Sequence, residues 1–318
     1  MLSYDYKRPT TTAEAVTALQ NGGRVVGGSS DILTLIKEQI ETPKNLVDIS
    51  EIKELSNINL SGNTLSIGAA VTITTLAENA AVIKNYPIVE QAAKSIASPQ
   101  IRHVGTVGGN LCQRSRCWYF RNPRFNCYRK GGSTCFAVTG KNEYHAILGG
   151  AGCFMVCPSD LAPALIALGA TAIITGSKGQ RKLPLEKFYI GPLEDITREV
   201  VIGPGELLTS VEVPLPPASA KMAYQKVRER QTFDFATVSL AMIIAPRFAR
   251  VVLGGIAPTP LRSLDAEKIL QGGSITEDRA QQAGEAVTKF ARPMEDNGYK
   301  IDLVQGLIRS TALSLTNQ

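Results

Sequence analysis

Four cysteines, Cys112, Cys117, Cys127 and Cys135, fall within twenty-four residues, in a segment that also holds Arg114, Arg116, Arg121, Arg124, Arg129 and Lys130 and no acidic residue. Thiolates are the ligands of iron-sulfur clusters. A four-iron cluster held by four thiolates carries net negative charge that neighbouring guanidinium groups would offset, making it easier to reduce. A structural zinc site is the alternative, but zinc ribbons bring their ligands as two close pairs. The spacing here is C-x4-C-x9-C-x7-C, without a C-x2-C knuckle, and favours iron-sulfur.

A second kind of chemistry is signalled by glycine. Gly27-Gly28-Ser29-Ser30 lies between a short β-type run, Arg24-Val25-Val26, and a helix expected from Asp31. Backbone N–H groups in such a turn can bind a phosphate, although any tight strand-to-helix turn also wants glycine. Gly105-Thr106-Val107-Gly108-Gly109-Asn110 is a second such stretch and immediately precedes Cys112. Neither G-x-G-x-x-G after a strand nor G-x-x-x-x-G-K-[ST] occurs, so neither a Rossmann nor a P-loop site is expected.

The elements that must position these residues are readable in outline. Thr11-x-x-Glu14 is a capping box ahead of a helix through Leu19. Residues 45–49 and 64–69 read as strands, and 73–79 and 87–95 as helices. After the cysteine segment, 153–156 reads as a buried strand, 161–168 as a helix, and 172–174 and 207–213 as strands. Pro214-Leu215-Pro216-Pro217 is the clearest linker, because adjacent prolines suit neither a sheet ladder nor a helix interior. Beyond it, strands are expected over 224–227, 238–244 and 251–255, and helices over 264–270, 277–290 and 301–313.

At 318 residues the chain exceeds what one core usually serves, and a hydrophobic content of 44% with 19% charged residues suits a globular protein. No apolar run approaches the roughly 20 residues of a membrane span. The net charge of +6 is about the size of the cysteine segment's own six positive charges, which leaves the rest near neutral. That segment interleaves Trp118, Tyr119, Phe120, Phe125 and Tyr128 with its cations, so a zinc-stabilised nucleic-acid binder is the competing function class. Residues 1–8 lack the apolar core of a secretion signal, and the clustered cysteines suit a reducing compartment. The cytoplasm is the expected location, with the periplasm open to a chain exported on a partner. Cys153 and Cys157 read as core thiols, and His103 as a hydrogen-bonded structural residue.

Val26-Gly27-Gly28-Ser29-Ser30, Thr106-Val107-Gly108-Gly109-Asn110, Pro158-Ser159-Asp160-Leu161 and Tyr224-x-Lys226-Val227-Arg228 resemble, in order and spacing, the motifs of the FAD-binding medium subunit of molybdenum hydroxylases. That family includes xanthine dehydrogenase, carbon monoxide dehydrogenase and aldehyde oxidoreductases. The resemblance implies an α+β architecture: a two-subdomain FAD-binding fold of the vanillyl-alcohol-oxidase type, plus a small C-terminal domain of the carbon monoxide dehydrogenase flavoprotein type. The implied divisions are 1–55, 56–217 with an insertion at about 111–146, and 218–318.

By the same resemblance, Val26, Gly27, Gly28, Ser29, Ser30 and Asp31 would hold the FAD diphosphate. Thr106, Gly108, Gly109 and Asn110 would line the diphosphate and isoalloxazine region, Asp160 the ribose or adenine side, and Lys226 the flavin edge. From the residues alone, Asp160 or Ser159 would instead cap the helix from Leu161, and Lys226 would be a polar position on an edge strand. The insertion resembles the one that carries an additional 4Fe-4S cluster in the medium subunits of 4-hydroxybenzoyl-CoA reductase and, more nearly, of aldehyde oxidoreductase. Cys112, Cys117, Cys127 and Cys135 are the implied ligands, with His145 the alternative to Cys112 as the fourth. A molybdenum-cofactor large subunit and a 2Fe-2S small subunit are the implied partners. This FAD-dependent oxidoreductase subunit would carry electrons and hold no catalytic residue for the organic substrate, an aldehyde or, alternatively, an N-heterocycle such as xanthine or a hydroxybenzoyl-CoA.

Overall fold

Short β-type runs broken by glycine turns build the first sheet. β1 (Asp5–Lys7), β2 (Gly23–Val26) and β3 (Asn45–Asp48) are parallel, in the order β1-β3-β2. The computed structural model describes residues 3–20 and 22–316, so Met1 and Leu2 of the N-terminal stretch lie outside the described residues. Helix Thr12–Leu19 crosses between β1 and β2 and opens with the expected capping box: Thr11 Oγ1 accepts the Glu14 N–H and the Glu14 carboxylate accepts the Thr11 N–H.

The second sheet is antiparallel. β4 (Ile58–Ser61), β5 (Thr64–Gly68), β6 (Thr171–Gly176), β7 (Gly179–Pro184) and β8 (Leu207–Pro214) run in the order β4-β5-β8-β6-β7. Helices Ile73–Glu78 and Pro87–Ser95 bury their apolar faces in the core this sheet shares with Leu161–Ala167. The last of these is buried at every position, which is why its sequence lacks a polar face.

Past Pro216 and Pro217, β9 (Lys221–Val227), β10 (Val238–Ala245), β11 (Phe248–Gly254) and β12 (Leu261–Arg262) form an antiparallel sheet in the order β12-β11-β10-β9. Helices Leu264–Leu270, Glu277–Thr288 and Lys300–Thr316 close a second large core with it.

Two expectations change. Residues 153–156 join no ladder; their extended backbone threads between domains, Phe154 O accepting the Ala146 N–H at 2.7 Å and Cys157 N–H donating to Ala257 O at 3.0 Å. The second glycine stretch is no loop. Thr106 caps a helix, Val107–Cys112, by accepting the Gly109 N–H at 3.1 Å, so both glycines sit in its first turn.

The cysteine insertion is tied to the C-terminal domain by buried polar groups. Asn142 and Asp296 exchange hydrogen bonds of 3.2 and 3.0 Å. Lys300, fully buried, donates from Nζ to the carbonyls of Tyr144 (3.0 Å), His145 (3.0 Å) and Gly255 (2.8 Å). Burial pushes the Lys300 ammonium down to about 7. Between pH 7 and the ordinary lysine value, about 10.4, the unfolded chain therefore binds a proton that the native state has released. Below pH 7 both states are protonated. The contribution of Lys300 to stability should accordingly rise with pH from 7 to 9, and Lys300→Met should remove that rise. Parallel Tm curves for the two proteins across this range would refute it.

Candidate functional site

A cavity of about 810 Å³ opens between the first two sheets and β9, within the roughly 300–1,000 Å³ usual for small-molecule and cofactor sites. Gly27, Gly28, Ser29, Ser30, Asp31, Thr106, Gly108, Gly109, Asn110, Asp160 and Lys226 all line it. Val26 does not. As the last residue of β2 its side chain points to the opposite face of the sheet, where it is buried with Leu46, Phe120 and Cys127.

The two glycine stretches touch each other. A Cβ on Gly28 would stand 1.7 Å from Val104 O, and one on Gly27 would stand 2.8 Å from Thr106 Oγ1. Ser29 follows with φ of 61°, a left-handed backbone rare for serine. The absence of side chains at Gly27 and Gly28 lets the β2 turn lie against the helix that begins at Val107, and the two together form one backbone-lined floor.

On the far wall, Asp160 is fully engaged by protein. Its Oδ1 accepts the Tyr224 hydroxyl at 2.8 Å and its Oδ2 pairs with Lys226 Nζ at 2.8 Å. Burial first, then the Asp160 charge, pushes the Tyr224 phenol well above its ordinary value. Lys226 also donates to Ser95 O at 3.2 Å, so its ammonium is held at the cavity wall rather than on an exposed strand edge. Ser159, not Asp160, caps helix Leu161–Ala167: its hydroxyl accepts the Ala162 N–H and donates to Asn110 Oδ1 at 2.6 Å.

The arginines of the insertion do not ring the cysteines. Asp31 Oδ2 accepts the Arg114 N–H at 2.8 Å, while its Oδ1 takes Arg121 at 2.6 Å and Arg116 at 3.0 Å. Arg114 spans Glu41 at 2.7 Å and Glu199 at 2.9 Å. These guanidinium groups are neutralised by carboxylates of the FAD-binding subdomains, and Asp31 spends its charge on the insertion. Burial lowers Arg116 to about 10, with Asp31 opposing it.

Cys117, Cys127 and Cys135 do come together, around a second, small cavity also lined by His145 and Cys153. Cys112 is elsewhere: it ends helix Val107–Cys112, which delivers it to the large cavity. Cys153, expected to be a plain core thiol, takes a place on the small cavity, and Cys157 remains buried away from it. Among the described residues, no three His, Cys, Asp or Glu side chains converge on a point that would hold a single metal ion. The thiols stand around a space instead.

Burial pushes the Cys117 thiol up to about 12, and burial also raises Cys153, against which the Met155 N–H and the Arg129 guanidinium pull down. His145 Nε2 lies 3.2 Å from Cys117 Sγ, and its buried Nδ1 has no partner among the described residues. Burial, with Lys300 nearby, lowers this imidazole to about 4. The aromatic side chains pack on one another, Tyr119 on Phe125 at 5.0 Å and Phe125 on Phe136 at 5.1 Å, so these rings are not a free base-stacking face. His103 is exposed and makes no side-chain hydrogen bond to a described residue.

Residues 2–216 match the family described as the FAD binding domain in molybdopterin dehydrogenase. The chain belongs to the FAD-binding subunits of the molybdenum hydroxylases. Residues 222–315 match the CO dehydrogenase flavoprotein C-terminal domain. This molybdenum hydroxylase subunit is 35% identical over 317 residues to the aldehyde oxidoreductase FAD-binding subunit of Escherichia coli, covering 98% of this chain and 97% of that one. It is 30% identical over 298 residues to the carbon monoxide dehydrogenase medium chain of Afipia carboxidovorans, covering 90% and 87%. The reconstituted CO dehydrogenase of Oligotropha carboxidovorans superposes with a TM-score of 0.78 at 25% identity, over 99% of both chains. The subunit is thus part of an FAD-dependent oxidoreductase, and among the described residues no helix is long and apolar enough to cross a membrane.

Sequence reasoning did not find Glu41 and Glu199, which anchor the insertion, or the loop around Phe233 and Phe235 that rims the large cavity. Nothing local marks an isolated glutamate as the partner of an arginine 73 or 85 positions away. Phe233, with φ of 71° and an N–H donated to Ala97 O, carries no turn signature in its sequence.

Proposed function

We propose that this chain is the electron-transfer subunit of a molybdenum hydroxylase that carries FAD in the large cavity and a 4Fe-4S cluster in the thiol-lined one. Its partners would be a large subunit with the molybdenum cofactor and a small subunit with 2Fe-2S clusters. The observation that carries this reading is the adjacency of the two cavities, joined by the Arg114 and Arg121 contacts to Asp31, Glu41 and Glu199. FAD exchanges electrons singly or in pairs, so beside an iron-sulfur cluster it links a two-electron substrate oxidation to one-electron carriers.

The chain's own residues bind and position. The backbone of Gly27 to Ser30 and the first turn of helix Val107–Cys112 would receive the diphosphate, since the close contact of the two stretches leaves main-chain groups facing the cavity. Asn110 is fixed by Ser159. Lys226, held by Asp160 and Ser95, would present a fixed positive charge to the flavin. Cys117, Cys127 and Cys135 would bind the cluster, and the packed aromatic rings keep water from it. The 35% identity to an aldehyde oxidoreductase subunit over nearly the whole chain supports an aldehyde as the substrate of the complex.

The complex, purified without oxygen, should contain about one flavin and about four iron atoms assignable to this subunit. Cys127→Ser should abolish the four-iron signal and leave the flavin bound. A subunit that holds about one zinc and no flavin would overturn the reading and favour the nucleic-acid alternative.

A further inference from the structure

Resting on the cluster reading above, we propose that Cys153 supplies the fourth thiolate and that Arg129 donates hydrogen bonds to the cluster's sulfurs, raising its reduction potential.

The first half follows from placement. Three of the cysteines in the insertion reach the small cavity and the fourth, Cys112, is carried to the flavin side by its helix. Cys153 stands on the small cavity, in a segment that belongs to no sheet and is therefore free to set its Sγ without breaking a ladder. A ligand 18 positions beyond Cys135 is invisible to a spacing argument, because residues 136–152 must fold back for the two to meet. His145 lines the same cavity, but its Nε2 is directed to Cys117 Sγ at 3.2 Å, which suits an imidazole that orients a ligand thiolate. Soft thiolate is the better match to iron-sulfur chemistry.

The second half follows from an unmet need. The Arg129 side chain is 2% exposed and lines the small cavity. Nε, Nη1 and Nη2 all lack a hydrogen-bond partner among the described residues, although Nη2 stands 2.8 Å from Glu199 Oε1. A buried guanidinium with three unmet nitrogens is costly, and five N–H donors facing a cavity of thiols call for acceptors there. Cluster sulfides and thiolates are such acceptors. Their net negative charge grows on reduction, so a buried cation that donates to them stabilises the reduced form more than the oxidised one. Glu199 balances Arg129 from the far side and also holds Arg114 at 2.9 Å, which sets the guanidinium's position. Arg129 is a positioning and tuning residue, not a catalytic one.

The test uses the assembled complex. Iron content and low-temperature EPR of the reduced four-iron signal are measured for wild type, Cys153→Ser and Cys112→Ser, with flavin content as the check on folding. The expected result is loss of the four-iron signal in Cys153→Ser and its full retention in Cys112→Ser. The reverse pattern overturns the assignment. Pulsed EPR of the wild type gives a readout that needs no variant: strong nitrogen coupling from a directly bound imidazole would make His145 the fourth ligand and also overturn it. For Arg129, potentiometric titration of Arg129→Lys and Arg129→Gln should show the cluster retained with its midpoint moved to more negative values, further for Gln than for Lys. An unchanged midpoint in both refutes the tuning role. Wild-type subunit without iron would refute the cluster reading itself, a distinct outcome.

Discussion

Gly28→Ala is expected to strip the flavin from this subunit. The added Cβ would fall 1.7 Å from Val104 O and 2.8 Å from Gly105 Cα. Both obstacles are backbone, so no side chain can swing aside. The β2 turn must then separate from the segment leading into helix Val107–Cys112, and that contact is what forms the cavity floor. Overpacking of this kind costs about 1–3 kcal/mol or more, and each 1.4 kcal/mol withheld from binding is about tenfold in affinity. A loss of at least tenfold to a hundredfold in FAD affinity is therefore predicted, seen as substoichiometric acid-released flavin after dialysis. Far-UV circular dichroism should show the sheets intact. Gly191→Ala, where a Cβ meets nothing within 4 Å, serves as the control. Full flavin occupancy in Gly28→Ala would mean that the two stretches are not packed as described.

Glu199→Ala should produce the largest loss of stability among surface-distant single changes. One carboxylate, 10% exposed, receives Arg114 Nε at 2.9 Å and the Ser115 N–H at 3.3 Å, and stands 2.8 Å from Arg129 Nη2. Its removal leaves a guanidinium that is 2% exposed without a counter-ion. Breaking a buried pair from one side costs about 3–5 kcal/mol, and such a loss corresponds to a fall of roughly 10 °C in Tm for a chain of this size. Glu199→Gln, which keeps the acceptor and drops the charge, should recover part of the loss. Because the pairs are buried, raising the salt concentration should change the difference little. Calorimetry showing a fall below about 1 kcal/mol for the alanine variant would remove Glu199 from this role.

The same contacts account for where the sequence could and could not be read. Gly27, Gly28, Gly108 and Gly109 were legible because close backbone approach excludes every other residue type, and that exclusion is written locally. Asp31 was legible as a position but not as a partner. Its place at the turn puts it on the cavity, yet its oxygens go to Arg114, Arg116 and Arg121, more than 80 residues away. Val26 was drawn into the site by adjacency, and strand alternation turns it to the core instead.

The sequence by itself determined the family, the sheet-building runs, the glycine stretches that must lie close to another backbone, and a cysteine-rich insertion next to them. These are short-range properties, expressed in residue type and spacing. Only the tertiary structure decided which thiols share a cavity, which carboxylates neutralise the arginines, and that Asp160 is spent on Lys226 and Tyr224. Each of those depends on how segments far apart in the chain are brought together, and a buried charge or thiol takes whatever partner the packing supplies.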